Sequence, residues 1–93
     1  MGLPIRMTAE RWFHIVESHD YLAGRYDDIL DVVQDPDLVI RGYGGALIAV
    51  RGIARGQYLA VVYKEISLDD GFIISAYITD KFSRKAIVWK KNL

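Results

Sequence analysis

The chain has 93 residues, of which 52% are hydrophobic and 26% charged, with twelve basic residues against twelve acidic ones and no cysteine. A chain of this size and composition buries one core, so we expect residues 1–93 to form a single domain. The lack of cysteine excludes a disulfide framework, a thiolate nucleophile and a thiolate metal site, and it is typical of a reducing cytoplasm. The neutral net charge excludes a general attraction to phosphate, so only a local basic patch would bind RNA.

No apolar run approaches the ~20 residues that a membrane span requires, and residues 1–7 lack the apolar core of a signal peptide. We therefore expect a soluble, cytoplasmic protein with no membrane partner. The charges are distributed unevenly, because the first half of the chain is acidic whereas residues 81–91 are basic.

Two helices are predicted at the start of the chain. Thr8 is a good N-cap for a helix over residues 9–19, because its hydroxyl can accept a hydrogen bond from a free backbone N–H. Gly24 interrupts the pattern, and a second amphipathic helix follows over residues 26–34, with its aspartates facing water. Both helices would place an apolar stripe against the rest of the domain.

The apolar period then changes from 3.6 to 2. The four segments with strand character are residues 38–41, 46–51, 58–65 and 72–79. They are separated by short turns, which predicts an antiparallel meander. The apolar residues 86–89 would form either a fifth strand or a tail packed over the sheet.

These elements predict an α+β fold, with two N-terminal helices packed on one face of a four- to five-stranded antiparallel sheet (αα-ββββ). The residues expected to share the core lie on the apolar side of each element, and they are Trp12, Val16, Ile29, Val33, Ile48, Val62, Ile74 and Ala76. In the last strand, period-two alternation predicts that two sets of residues face opposite sides. The predicted core set is Phe72, Ile74, Ala76 and Ile78, and the other set is Ile73, Ser75, Tyr77 and Thr79.

The two histidines lie in the first predicted helix but on different faces. His19 falls beside Trp12 on the apolar side, which favours a half-buried residue at the helix end with its ring hydrogen-bonded to the backbone. His14 falls on the polar side with Glu10, which is equally typical of a solvated surface histidine. Their i, i+5 spacing does not converge on one ion, so we expect neither a metal nor another cofactor.

The remaining candidates also have structural interpretations. Ser75 and Thr79 are ordinary strand residues, and Tyr77 is typical of cross-strand aromatic packing. Arg51 and Lys64 would be solvated charges at strand ends. The glycines of residues 42–45 lack the Lys-Ser/Thr and the helix of a phosphate-binding loop, so a hairpin explains them.

Five segments carry a resemblance to a known family. They read RWFHIVESHDYL, QDPDLVIRG, QYLAVVYKE, DDGFIISAYITDK and RKAIVWK, over about residues 6–90. In order and spacing the chain resembles small bacterial, archaeal and phage-associated domains grouped with the barnase, EndoU, colicin and RelE-like nucleases (the BECR fold). Members tend to read His-Ile-x-x-Arg-His-Pro-Glu near the start and Ile-Thr-Ala-Tyr in the last strand. Here both histidines are kept, whereas Ser18 replaces the arginine and Ser75 the threonine.

The resemblance implies metal-independent RNA cleavage, in which the 2′-hydroxyl attacks its own phosphate. That reaction needs a base, an acid and cations around the phosphorane. The roles that it implies concern seven residues: His14 or His19 as base or acid, Arg51 and Lys64 as phosphate ligands, and Ser75, Tyr77 or Thr79 as orienting groups.

Two functional hypotheses, which belong to different classes of protein, fit these observations. The first is a ribonuclease, as a toxin of a toxin–antitoxin or phage-conflict system, with RNA as substrate and an antitoxin or immunity protein as partner. The second is a catalytically degenerate module for protein interaction or RNA binding on the same scaffold, to which the neutral charge and the replaced arginine and threonine point. Fold alone does not choose between them.

Overall fold

The computed structural model describes residues 4–92, and in them two helices lie on one face of a six-stranded sheet. The elements are β1 (Ile5–Arg6), α1 (Ala9–Ser18), α2 (Tyr26–Gln34), β2 (Leu38–Arg41), β3 (Leu47–Ala54), β4 (Gln57–Ser67), β5 (Asp70–Thr79) and β6 (Ile87–Lys90). The strand order is β1-β5-β4-β3-β2-β6. The predicted α+β class and both predicted helices are confirmed.

The helices begin and end as local chemistry dictates. The Thr8 hydroxyl accepts a hydrogen bond from the Arg11 backbone N–H at 3.1 Å, which confirms the predicted N-cap of α1. His19 follows α1 as its C-cap, and a single 3₁₀ turn over Asp20–Leu22 leads toward α2. The acidic residues at the start of α2 face the positive end of its dipole.

The prediction of a purely antiparallel sheet of four or five strands is wrong. β1 pairs with β5 in parallel, through Ile5 with Gly71 and Arg6 with Phe72. A two-residue strand has no alternation that a sequence pattern can reveal, and the short turns along the chain gave no sign of a parallel partner. Gly71 permits the approach, because a Cβ there would lie 2.6 Å from Cδ1 of Ile5.

The C-terminal apolar stretch, for which the sequence predicts either a strand or a tail, is the edge strand β6. It pairs antiparallel with β2, with an irregularity between Val39 and Ile40. The four central strands β2 to β5 are joined by consecutive antiparallel pairings, so the predicted meander is correct for that part of the sheet.

The helices pack on one side of the sheet, which we call the covered face. Its buried side chains are Ile15, Leu22, Ile29, Val32, Val33, Ala49, Leu59, Val61, Tyr63, Ile73 and Ala76. Ile29, Val33 and Ala76 belong to the core as predicted, whereas Trp12 and Val16 are only half-buried.

The opposite side of the sheet, which we call the open face, has its own apolar cluster. Leu38, Ile40, Val50 and Ala60 are its buried members. Phe82 and Ile87 from the C-terminal segment pack against them. The sequence placed Ile48, Val62 and Ile74 in one core with the helices, and this is wrong, because all three lie on the open face and are half-buried.

Candidate functional site

The open face contains a concave cavity of about 680 Å³, a size typical of binding pockets. Its apolar lining comes mainly from strands β3, β4 and β5 and from the C-terminal segment. The lining residues are Arg41, Gly42, Tyr43, Ala46, Ile48, Val62, Ile74, Ser83, Lys85 and Ala86. The wall contributed by residues 83–86 is a single 3₁₀ turn that precedes β6, so the edge strand holds one side of the cavity in place.

A bulge in β5 determines which of its residues reach this face. Tyr63 pairs with Ile73 while its neighbour Val62 pairs with Ser75, so Ile74 is an extra residue. The predicted alternation is therefore wrong on one side of the bulge: Ile73 joins the core of the covered face, and Ile74 lines the cavity. Cross-strand packing determines such an irregularity, which a single strand's sequence does not reveal.

Three hydroxyl side chains follow the bulge in a row on the open face. Ser75, Tyr77 and Thr79 pair across the sheet with Val62, Ala60 and Tyr58, respectively. Burial raises the pKa of the Tyr77 phenol, which therefore keeps its proton. The Thr79 hydroxyl donates to the Lys81 carbonyl at 2.8 Å and accepts from the Lys81 N–H at 3.3 Å, so it stabilises the turn after β5.

Cationic side chains adjoin the cavity. Lys64 follows Val62 by two residues along β4 and lies on the same face, with its Cε 3.8 Å from where a Cβ on Gly45 would be. Arg41 and Lys85 line the cavity itself. The aromatic ring beside them, Tyr43, is 99% exposed, because Gly44 and Gly45 at positive φ make the tight turn that presents it.

Arg51 lies on the covered face, away from these cations. It pairs with Leu59 of the covered-face core, and its Nη1 donates to the Asp35 carbonyl at 3.4 Å. Asp35 is the C-cap of α2, a helix that has no basic residue in its own last turn. Arg51 therefore places a positive charge at the negative end of the helix dipole, which is a structural contact.

His14 is exposed on α1, where it borders a shallow polar recess with Thr8, Glu10 and Arg11. Its Nε2 lies 3.7 Å from Oε1 of Glu10, a loose contact between residues one helical turn apart. A surface pair of this kind contributes little to stability.

His19 is half-buried and bonded to Tyr21, whose hydroxyl lies 3.2 Å from the His19 Nδ1. The same hydroxyl accepts a hydrogen bond from the Ile78 backbone N–H at 3.3 Å. β1 pairs only with Gly71 and Phe72, so Ile78 lies on the part of the β5 edge that β1 leaves open. His19 and Tyr21 thus occupy a sheet edge. The half-burial of His19 is as predicted, but the partner of its ring is a tyrosine hydroxyl and not the backbone group that the sequence predicted.

The seven predicted site residues therefore divide into two groups. Lys64, Ser75, Tyr77 and Thr79 share the open face. Arg51, His14 and His19 lie on the helix side of the sheet. The sequence did not single out Arg41, Tyr43 or Lys85 as site residues. The glycine-rich turn after Arg41 and the basic tail were the available signals, but neither indicates that the chain brings them together.

Among residues 4–92, no group of three histidine or acidic side chains is placed to hold a metal ion. None of the helices in that range has the length and apolar character needed to cross a membrane. Comparison of the chain with family models, with curated proteins and with solved structures finds no match.

Proposed function

We propose that this protein is an RNA-binding module that holds single-stranded RNA on the open face of its sheet and does not use its histidines for cleavage. The observation that carries this proposal is an apolar cavity lined by Arg41, Lys85 and the exposed Tyr43, with Lys64 on the same face of the sheet. Such a local basic patch can attract phosphate although the net charge of the whole chain is zero.

Each element of this surface matches a part of single-stranded RNA. Lysine and arginine attract phosphates, and the salt dependence of binding follows the number of phosphates contacted. An exposed tyrosine offers a ring on which a base stacks, whatever the base. The hydroxyls of Ser75 and Tyr77 lie on the same face and can hydrogen-bond to phosphate or ribose.

The separation of the candidate groups favours binding over cleavage. His14 and His19 belong to α1, whereas Lys64 lies across the sheet from that helix layer. The sheet therefore lies between these imidazoles and a phosphate held on the open face. The Tyr77 phenol, on the same face as Lys64, has a raised pKa and is a poor base near neutral pH.

The test is fluorescence anisotropy with a short labelled single-stranded RNA at several salt concentrations. We expect Tyr43→Ala to weaken binding by ~5- to 100-fold, since stacking contributes ~1–3 kcal/mol per base. Lys64→Ala and Lys85→Ala should each reduce the slope of log affinity against log salt by ~0.7. Arg55→Ala is the matched control, because Arg55 is an exposed cation in the turn at the other end of β3 and β4.

Unchanged binding in the three open-face variants would contradict the proposal, as would the absence of binding at low salt. The same RNA is then incubated with the protein in EDTA and its ends are analysed. A 2′,3′-cyclic phosphate product that disappears in His14→Ala would instead support the ribonuclease hypothesis.

A further inference from the structure

The hairpin turn between β4 and β5 carries an apolar knob at the end of the sheet. Leu68 is 98% exposed and Ile66 is 58% exposed. Leu68 lies in the turn, where turn geometry favours Gly, Asn, Asp or Ser and does not require a large aliphatic side chain, and Ile66 lies near the end of β4. The two side chains therefore expose apolar surface to water, and burying this surface against another molecule would favour association.

Acidic side chains flank these two residues. Glu65 precedes them and Asp69 follows, and both are exposed. The Ser67 hydroxyl donates to Oδ1 of Asp69 at 2.9 Å, which holds that carboxylate at the turn. Residues 65–69, which we call the hairpin knob, thus combine an apolar centre with a negative border.

The cavity of the open face has the opposite charge and the same apolar character. Its floor includes Ile48, Val62 and Ile74, and its lining includes the cations Arg41 and Lys85. At about 680 Å³ it has ample room for the side chains of Ile66 and Leu68. The hairpin knob and the cavity are therefore complementary both in charge and in apolar surface.

The hairpin knob does not fill the cavity of its own chain. Ser67 pairs with Asp70 beyond an irregularity between Glu65 and Ser67, so the turn lies at the far end of the β4–β5 hairpin. Leu68 lies six residues beyond Val62, a separation of up to ~20 Å along the strand. The occupant that matches the cavity is consequently another copy of the same hairpin.

We propose that the hairpin knob of one copy of this chain seats in the open-face cavity of a second copy. Each copy carries both features at the end of the sheet where Lys64 approaches Gly45, so two reciprocal contacts related by a two-fold axis close a dimer. This self-association goes beyond RNA binding and stands without it. Where both occur, the dimer covers the RNA-binding face and the two states compete.

The experiment is sedimentation velocity of the full chain without RNA, from micromolar to millimolar concentration, because so small a contact gives weak association. We expect a concentration-dependent dimer that Leu68→Asp weakens by ~10- to 100-fold, since burial of a leucine contributes ~1.5–3 kcal/mol. Phe13→Asp is the control, because Phe13 is 63% exposed on α1, away from both surfaces, and should leave the dimer unchanged.

A charge exchange tests the pairing itself. Lys85→Glu and Asp69→Lys should each weaken the dimer, and the double variant should recover a large part of the loss. A wild-type chain that stays monomeric at millimolar concentration would overturn the proposal. So would a dimer that survives Leu68→Asp, or a double variant no better than the single ones. No RNA is present, so failure here leaves the RNA-binding proposal standing, and the reverse holds too.

Discussion

On the covered face of the sheet, Leu59, Val61 and Tyr63 are at most 2% exposed, whereas Tyr58 and Val62 on the open face of the same strand remain half-buried. Both faces are apolar, so composition does not distinguish them. The difference is the covering layer within residues 4–92: two helices lie on one side, and the short C-terminal segment lies on the other. The apolar face that residues 4–92 cover incompletely is the surface to which we assign the proposed RNA binding.

The largest expected effects come from truncations that compare the two faces directly. Leu59→Ala should lower the free energy of unfolding by ~2–5 kcal/mol, because Leu59 is fully buried under the helices. Two neighbouring valines of β4 allow a direct comparison. Val61→Ala should lower the free energy of unfolding clearly more than Val62→Ala, since Val61 is buried and Val62 borders the cavity. Urea unfolding of all three variants measures this. Equal losses for Val61 and Val62 would mean that the open face is packed as tightly as the covered one.

Sequence reasoning found the elements that carry a strong local pattern. Both helices, the N-cap at Thr8 and the four central strands have such a pattern and occur in the structure. β1 was missed because two residues carry no period, and the bulge at Ile74 was missed because it depends on the pairing of β4 with β5.

The candidate site was predicted less well than the fold. The open face carries four of the predicted residues: Lys64, Ser75, Tyr77 and Thr79. The histidines lie on the opposite side, with the helices, and the sequence does not reveal which side of the sheet the helices cover. Arg41 and Lys85 lie 44 residues apart in the chain, so only the tertiary structure brings them to one cavity.

A pH titration tests the burial of Tyr63 on the covered face. Burial, with a smaller effect from Glu65, raises the pKa of Tyr63 from 10.0 to about 12. Between these pH values the unfolded chain loses the phenol proton and the folded chain keeps it. The stability that is fully present below pH 10 should therefore be lost as the pH rises toward 12.

Urea midpoints measured across this alkaline range should fall less steeply in Tyr63→Phe. Tyr43→Phe is the matched control, since it removes a tyrosine hydroxyl from a side chain that is 99% exposed. The same slope in wild type and Tyr63→Phe would show that the Tyr63 phenol ionises equally in the folded and unfolded chains.

The smallest expected effect concerns the bonded pair at the β5 edge. Tyr21→Phe removes the hydroxyl that hydrogen-bonds to the His19 ring and to the Ile78 N–H. This substitution should lower the free energy of unfolding by about 1 kcal/mol. His19→Ala should cost a similar amount, and the double variant less than the sum, because both changes break one network. His14→Ala, at an exposed position, should leave stability unchanged. Additive losses would place His19 outside this network.

The parallel pairing of β1 with β5 has a kinetic consequence. It joins Ile5 to Gly71 and so closes a loop of more than sixty residues, whereas the strand pairing that stabilises this closure involves only two residues of β1. Loop-closure entropy opposes such a contact, whereas the meander from β2 to β5 forms between neighbours in the chain. We therefore expect β1 to dock after the meander has formed and to be the first strand released when the protein opens. Amide hydrogen exchange would register this order as weak protection at Arg6 and strong protection at Val61.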